Sequence, residues 1–157
     1  MDHVQKYLEN CYRYLSIRNR SEKEIRDYLL KKKATTEIIE NIIERLKKQK
    51  FLDDEKFARS WILSRARFRP KGKSALKFEL LQKGIDKEII EKVLSEEIED
   101  MPDELTQAKR LIERRIEKLK DKPRQEIYSK VGGFLSRRGF NFDITKKAID
   151  SYLGRQN

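Results

Sequence analysis

Cysteine, histidine and tryptophan each occur once in this sequence, as Cys11, His3 and Trp61. A single cysteine rules out an intramolecular disulfide and fits a reducing compartment. One Cys and one His cannot make a Cys/His zinc site. No run of 18 apolar residues exists, and the N-terminus lacks the apolar core of a signal peptide, so a cytoplasmic chain with no membrane partner is expected. No phosphate loop of the G-x-x-x-x-G-K-[ST] kind occurs. His3 lies beside a terminus that frays, and Cys11 takes a small-residue position that reads as core rather than nucleophile. With no convergent catalytic groups, neither an enzyme nor a cofactor is expected. Glycine and proline are also scarce, at six and three. Against that stands an abundance of Leu, Glu, Lys, Arg and Ile, which makes an all-α composition.

Charge is plentiful. Of 157 residues 41% are charged and 37% apolar, with a formal net charge of +11. Cores this thin suit a row of small helical units better than one large globule. A basic surface calls for an anionic partner, nucleic acid first and an acidic protein second. The charge is also segregated. Residues 1–60 carry net +4, residues 61–83 net +6, residues 84–104 net −7, residues 105–138 net +7, and residues 139–157 net +1. Solvated helix faces explain most charge runs, but two basic blocks flanking an acidic one also fit a binding surface.

The chain repeats itself. "IRDYLLKKKATTEIIENII" (25–43), "LKFELLQKGIDKEIIEKVL" (76–94) and "VGGFLSRRGFNFDITKKAI" (131–149) align without a gap. Apolar positions recur at helical spacing: Ile25, Leu76 and Val131, then Leu29, Leu80 and Leu135, then Ile38, Ile89 and Ile144. Between the two helical runs, Gly84 and Gly139 stand where a helix ends in the left-handed conformation. Lys33 replaces the glycine in the first copy, so a strained or differently shaped turn is expected there. Thr36, Asp86 and Asn141 follow as expected N-caps. Upstream, Cys11, Ala58 and Ala108 align, then Leu15, Ile62 and Ile112, then Arg18, Arg65 and Arg115. Each copy thus reads as three helices in about 50 residues. Pro70, Pro102 and Pro123 fall between the helical stretches. "KVGGFL" (130–135) lies inside a helical pattern, and its glycines read as close helix packing. The expected units are residues 1–50, 51–103 and 104–157.

Acids mark the helix starts. "SEKE" (21–24) is a capping box, Ser21 with Glu24. In "FLDDEKFARSW" (51–61), Asp53 reads as an N-cap and Leu52 with Phe57 as a hydrophobic staple. Asp54 and Glu55 then sit in the positive end of the helix dipole. Adjacent carboxylates on a helix point roughly 100° apart, so this cluster is no two-carboxylate site.

Candidate binding residues come from the basic blocks. "SRARFRPKGKSALK" (64–77) spreads Arg65, Arg67, Arg69, Lys71 and Lys73 across a helix end and a Pro/Gly loop, and "LSRRGF" (135–140) adds Arg137 and Arg138. "KKK" (31–33) and "RNR" (18–20) add similar patches in the first copy. Such groups suit regularly spaced phosphates or carboxylates. Phe68 among them reads as cover for the helix-to-loop corner, with stacking on a base as the alternative. A plain nucleic-acid-binding module and a protein-only adaptor remain open on these residues alone.

"RNRSEKEIRDYL" (18–29), "FLDDEKFARSWILSR" (51–65), "KGKSALKFELLQKGI" (71–85) and "LSRRGF" (135–140), in this order, resemble the RecX family of bacterial regulators of the RecA recombinase. The resemblance covers most of the chain. It implies an all-α fold of three tandem three-helix repeats in an elongated, curved molecule. It also implies binding along the RecA–DNA filament, with single-stranded DNA within or beside it. The implied effect is modulation, usually inhibition, of ATP hydrolysis, strand exchange and repressor co-cleavage. The resemblance supplies no catalytic residues. A monomer that opens almost directly on its first helix is expected. For the contacts, Arg65, Arg67, Arg69, Lys71, Lys73, Arg137 and Arg138 are the candidates, with Arg65 also fitting a structural role between helices.

Overall fold

The structure, a computed structural model, describes residues 3–98 and 101–154. Glu99 and Asp100 of the acidic block lie outside the described residues. Among those described, nine α-helices and no strand occur: α1 (His3–Ile17), α2 (Glu22–Lys31), α3 (Thr36–Lys48), α4 (Asp54–Phe68), α5 (Lys73–Gln82), α6 (Lys87–Ser95), α7 (Glu104–Leu119), α8 (Arg124–Arg137) and α9 (Phe142–Leu153). They form three triplets in the order the internal alignment requires. No helix among the described residues is long and apolar enough to cross a membrane.

Local chemistry sets the helix ends. Ser21 accepts from the Glu24 amide, and Glu24 reaches back to the Ser21 amide, completing the capping box of α2. Asp53 accepts from the Lys56 amide at the start of α4, and Leu52 and Phe57 are both buried. Asn141 caps α9 by accepting from the Ile144 amide. The expected cap Thr36 is a correction: Thr35 accepts from the Ile38 amide, and Thr36 is the first helical residue. The gap-free alignment in fact pairs Thr35 with Asp86 and Asn141.

The three hairpin turns share one geometry. Lys33, Gly84 and Gly139 all have positive φ, at 66°, 79° and 90°. In each turn that residue donates three residues back, to Leu30, Leu81 and Ser136. The next residue donates five back, to Leu29, Leu80 and Leu135, the Schellman pattern. Lys33 therefore keeps the shape of the other turns and carries the left-handed strain of a residue with a Cβ.

Two compact units divide the chain, residues 1–60 with 80–93, and residues 61–79 with 94–157. In the first, Leu8, Cys11, Ile25, Leu29, Ile42 and Leu46 build a core closed by Leu52. Burial pushes the Cys11 thiol up to about 11, so it stays protonated at neutral pH. In the second, Ala108, Ile112, Ile127, Val131, Leu135 and Ile149 build the core. A Cβ at Gly132 would meet only Thr145 Cγ2, at 3.7 Å, and one at Gly133 only the far end of the Arg137 side chain. The close packing expected of these glycines is absent.

Inside each unit one triplet is joined to part of the next by a pair of bonds at equivalent positions. In the first unit, Ser21 Oγ donates to the Lys83 carbonyl at 2.7 Å, and the Glu22 amide donates to Asp54 Oδ1 at 2.8 Å. In the second, the Gly72 amide donates to the Arg138 carbonyl at 2.8 Å, and the Lys73 amide donates to Glu104 Oε2 at 2.9 Å. The residues correspond one for one in the internal alignment. Each joint fastens the N-terminus of a middle helix to a later hairpin turn and a later first helix.

Candidate nucleic-acid interface

All seven candidate residues lie in the second unit. α4 runs on to Phe68, so Arg65 and Arg67 are helical, while Arg69 and Lys71 belong to the link before α5. Glycine governs how the two basic stretches meet. A Cβ at Gly72 would fall 2.2 Å from the Gly139 carbonyl, and one at Gly139 would fall 2.3 Å from the Ala75 Cβ. Only bare backbone allows this approach. With the bond from Gly72 to the Arg138 carbonyl, it brings the stretch around Arg69, Lys71 and Lys73 beside Arg137 and Arg138.

Two of the seven are engaged. Glu79 Oε1 accepts from Arg65 Nε at 3.0 Å and from Trp61 Nε1 at 2.9 Å, while its Oε2 takes Lys71 Nζ at 2.7 Å. The Arg65 guanidinium also lies 5.0 Å from the Trp61 ring centre. Burial pushes the Glu79 carboxyl up, but hydrogen bonds from Lys71, Trp61 and Arg65 together outweigh it and hold the group below the usual carboxylate range. This clamp ties α4, the link and α5 together. Sequence reasoning misses Glu79, although it is the only acid among seven basic residues between positions 61 and 83.

Of the other five, four face solvent and Arg138 is half-buried. Arg67, Arg69, Lys73 and Arg137 are exposed. Among the described residues the side chains of Arg67, Arg69 and Lys73 hold no hydrogen bond or ion pair. Arg138 lies over the Phe134 ring at 4.8 Å, which Arg115 also covers at 3.8 Å. Phe68 is 81% exposed between Arg67 and Arg69, which overturns its reading as a corner cover and leaves an aromatic face open to solvent. The other patches differ. In "RNR", Arg18 and Arg20 both pair with Glu24, and Arg20 lies 3.7 Å from the Tyr14 ring centre. In "KKK", all three lysines are exposed. Among the described residues no group of three His, Cys, Asp or Glu is arranged to hold a metal ion.

Three family models match in order: the first three-helix domain of RecX over residues 8–46, the second over 53–94 and the third over 102–149. A regulatory protein RecX from Bacillus pumilus is 36% identical over 156 residues, covering 99% of this chain and 59% of its own length. One from Bacillus subtilis is 33% identical, with 56% of its length covered. The chain thus spans less than two thirds of these Bacillus relatives. It covers 68% of a Finegoldia magna RecX at 36% identity, over 140 residues and 88% of this chain. The crystal structure of RecX from Lactobacillus salivarius matches in fold, with a TM-score of 0.85 at 24% identity over 94% of this chain and 95% of that one. A second RecX crystal structure gives 0.80 at 25%, over 95% and 72%. With each family model seated on one helical triplet, and relatives above 30% identity matched over most of their length, the chain belongs to the RecX family.

Proposed function

We propose that this chain is a non-enzymatic regulator that binds the filament formed by the RecA recombinase on single-stranded DNA and lowers its ATPase, strand-exchange and co-protease activities. The observation that carries this reading is the Gly72–Arg138 joint, which supports a single basic surface from two stretches far apart in the chain. Arg67, Arg69, Lys73, Arg137 and Arg138 contribute its reach, and the exposed Phe68 ring adds a surface on which a base can stack. Arg65 and Lys71 serve it indirectly, by holding the link through Glu79. Outward-facing guanidinium and ammonium groups suit phosphates or filament carboxylates. The test is a titration of the single-stranded-DNA-dependent ATPase of the cognate recombinase. Substoichiometric protein is expected to lower it. Unchanged ATPase and strand exchange at saturating protein overturn the reading. Salt-dependent DNA binding that is indifferent to the recombinase would favour a plain nucleic-acid-binding module instead.

A further inference from the structure

The third triplet differs from the first at one pair of equivalent positions. In the first, Arg26 on α2 crosses to Glu40 on α3 with both terminal guanidinium nitrogens and holds Glu22 through Nε. That ion pair bridges the two helices. In the third, Gly132 stands where Arg26 stands, and Lys146 stands where Glu40 stands. Lys146 turns instead to Asp150 on its own helix, at 2.8 Å. The valley between α8 and α9 is left open as a groove of about 440 Å³, lined by Tyr128, Gly132, Gly133, Phe140, Phe142 and Ile149 among others. Phe142, on the first residue of α9, is 80% exposed. Gly132 leaves backbone bare on the α8 side, where a Cβ would meet only Thr145 Cγ2 at 3.7 Å, while the end of the Arg137 side chain lies over Gly133. Packing therefore does not require glycine at position 132. The bare backbone lets another main chain come close.

We propose that this groove is a docking site for an amphipathic helix presented by the recombinase filament, apolar on the face that enters and acidic on its flanks. The apolar lining calls for an apolar face, and the close approach at Gly132 suits a helix laid along the valley. The acidic flanks follow from the charge around it. Lys146 stands at the rim, where it pairs along its own helix with Asp150, and α8 carries Arg124, Lys130 and the exposed Arg137 against the single acid Glu126. The inference rests on the regulator reading above and adds a protein contact beside the basic surface, with which it shares Arg137.

The test pairs a variant with a measurement on the unaltered chain. Gly132→Arg with Lys146→Glu restores the bridging ion pair of the first triplet. With its helical circular dichroism unchanged, it is expected to co-sediment with the cognate filament at least ten-fold more weakly than the wild type. Hydrogen exchange of the wild-type chain on the filament is expected to slow over 128–136 and 142–149. Equal binding by the variant, or unchanged exchange in those segments while the wild type binds, overturns the groove and leaves the regulator reading standing. Failure of the wild type to bind at all overturns the regulator reading and removes this occupant with it. Self-association of the wild type that the double variant abolishes assigns the groove to a second copy and overturns the proposal.

Discussion

Lys33, Gly84 and Gly139 hold the same left-handed turn, but a Cβ at either glycine would run into a neighbour. A Cβ at Gly84 would fall 2.4 Å from Lys23 Cβ, and one at Gly139 would collide with Ala75, backbone included. Lys33 is exposed, so its side chain costs only backbone strain. Lys33→Gly is expected to stabilise the fold by about 0.5–1 kcal/mol, the left-handed penalty less the entropy glycine adds to the unfolded chain. Gly139→Ala adds the penalty and a clash, and is expected to cost about 2–4 kcal/mol. Urea midpoints measure both, and equal effects at the two positions would refute the distinction. Thr145 poses a different residue-scale problem. It is buried with its hydroxyl lacking a hydrogen-bond partner among the described residues, where the other triplets carry Ile39 and Ile90. Thr145→Val keeps the shape and removes the unmet polar group, so stability is expected to rise by about 1 kcal/mol in the same assay.

At the scale of elements, the recurring joint gives the acids of "FLDDEK" two separate tasks. Asp53 caps its own helix, while Asp54 accepts from the first amide of α2. Burial raises the Asp54 carboxyl above its ordinary value, helped by the nearby charges of Glu22 and Asp86 and opposed by the Glu22 amide and Lys47. A carboxyl raised on folding is more stable protonated. Its contribution is therefore full below the unfolded value and declines as pH rises through the folded one. Asp54→Asn keeps an accepting oxygen without the charge, so it is expected to match or exceed the wild type in stability at pH 7, with the difference vanishing in acid. Asp54→Ala strands the Glu22 amide and is expected to cost about 1–3 kcal/mol. Urea titrations at pH 7 and pH 4 separate these outcomes; an Asn variant weaker than wild type at pH 7 would contradict the burial argument. This joint also marks where the sequence stops being readable. Capping boxes, the Leu52–Phe57 pair and the turn glycines depend on neighbours three to five residues away, so their chemistry is written locally. The joints of the first unit link residues 32 and 62 positions apart, and their acids look like ordinary helix-dipole partners until the triplets are stacked. The basic surface is half legible. Its charge shows in composition, but the commitment of Arg65 and Lys71 to Glu79 depends on α4 and α5 lying side by side, and the exposure of Phe68 on where α4 ends.

For the molecule as a regulator, the engaged and the outward-facing cations should separate in experiment. Arg67, Arg69 and Lys73 are exposed and their side chains support nothing else in the described fold. Arg67→Ala, Arg69→Ala and Lys73→Ala together are therefore expected to leave thermal stability within about 0.5 kcal/mol of the wild type, as surface changes away from structural features do. Binding should weaken with a particular signature. Each phosphate of single-stranded DNA that the variant no longer neutralises lowers the slope of log affinity against log salt by roughly 0.7, so three such phosphates lower it by about 2. Pairing with filament carboxylates would also weaken with salt, but without counterion release from DNA. Arg65→Ala is expected to behave oppositely. It removes one arm of the Glu79 clamp and the guanidinium over Trp61, so stability falls while any loss of binding follows the loss of fold. Carrying both variants through the same salt titration on filament and on bare single-stranded DNA assigns the surface. A triple variant with the wild-type slope and affinity on both would remove Arg67, Arg69 and Lys73 from the interface and leave Arg137 and Arg138 as the cations to test.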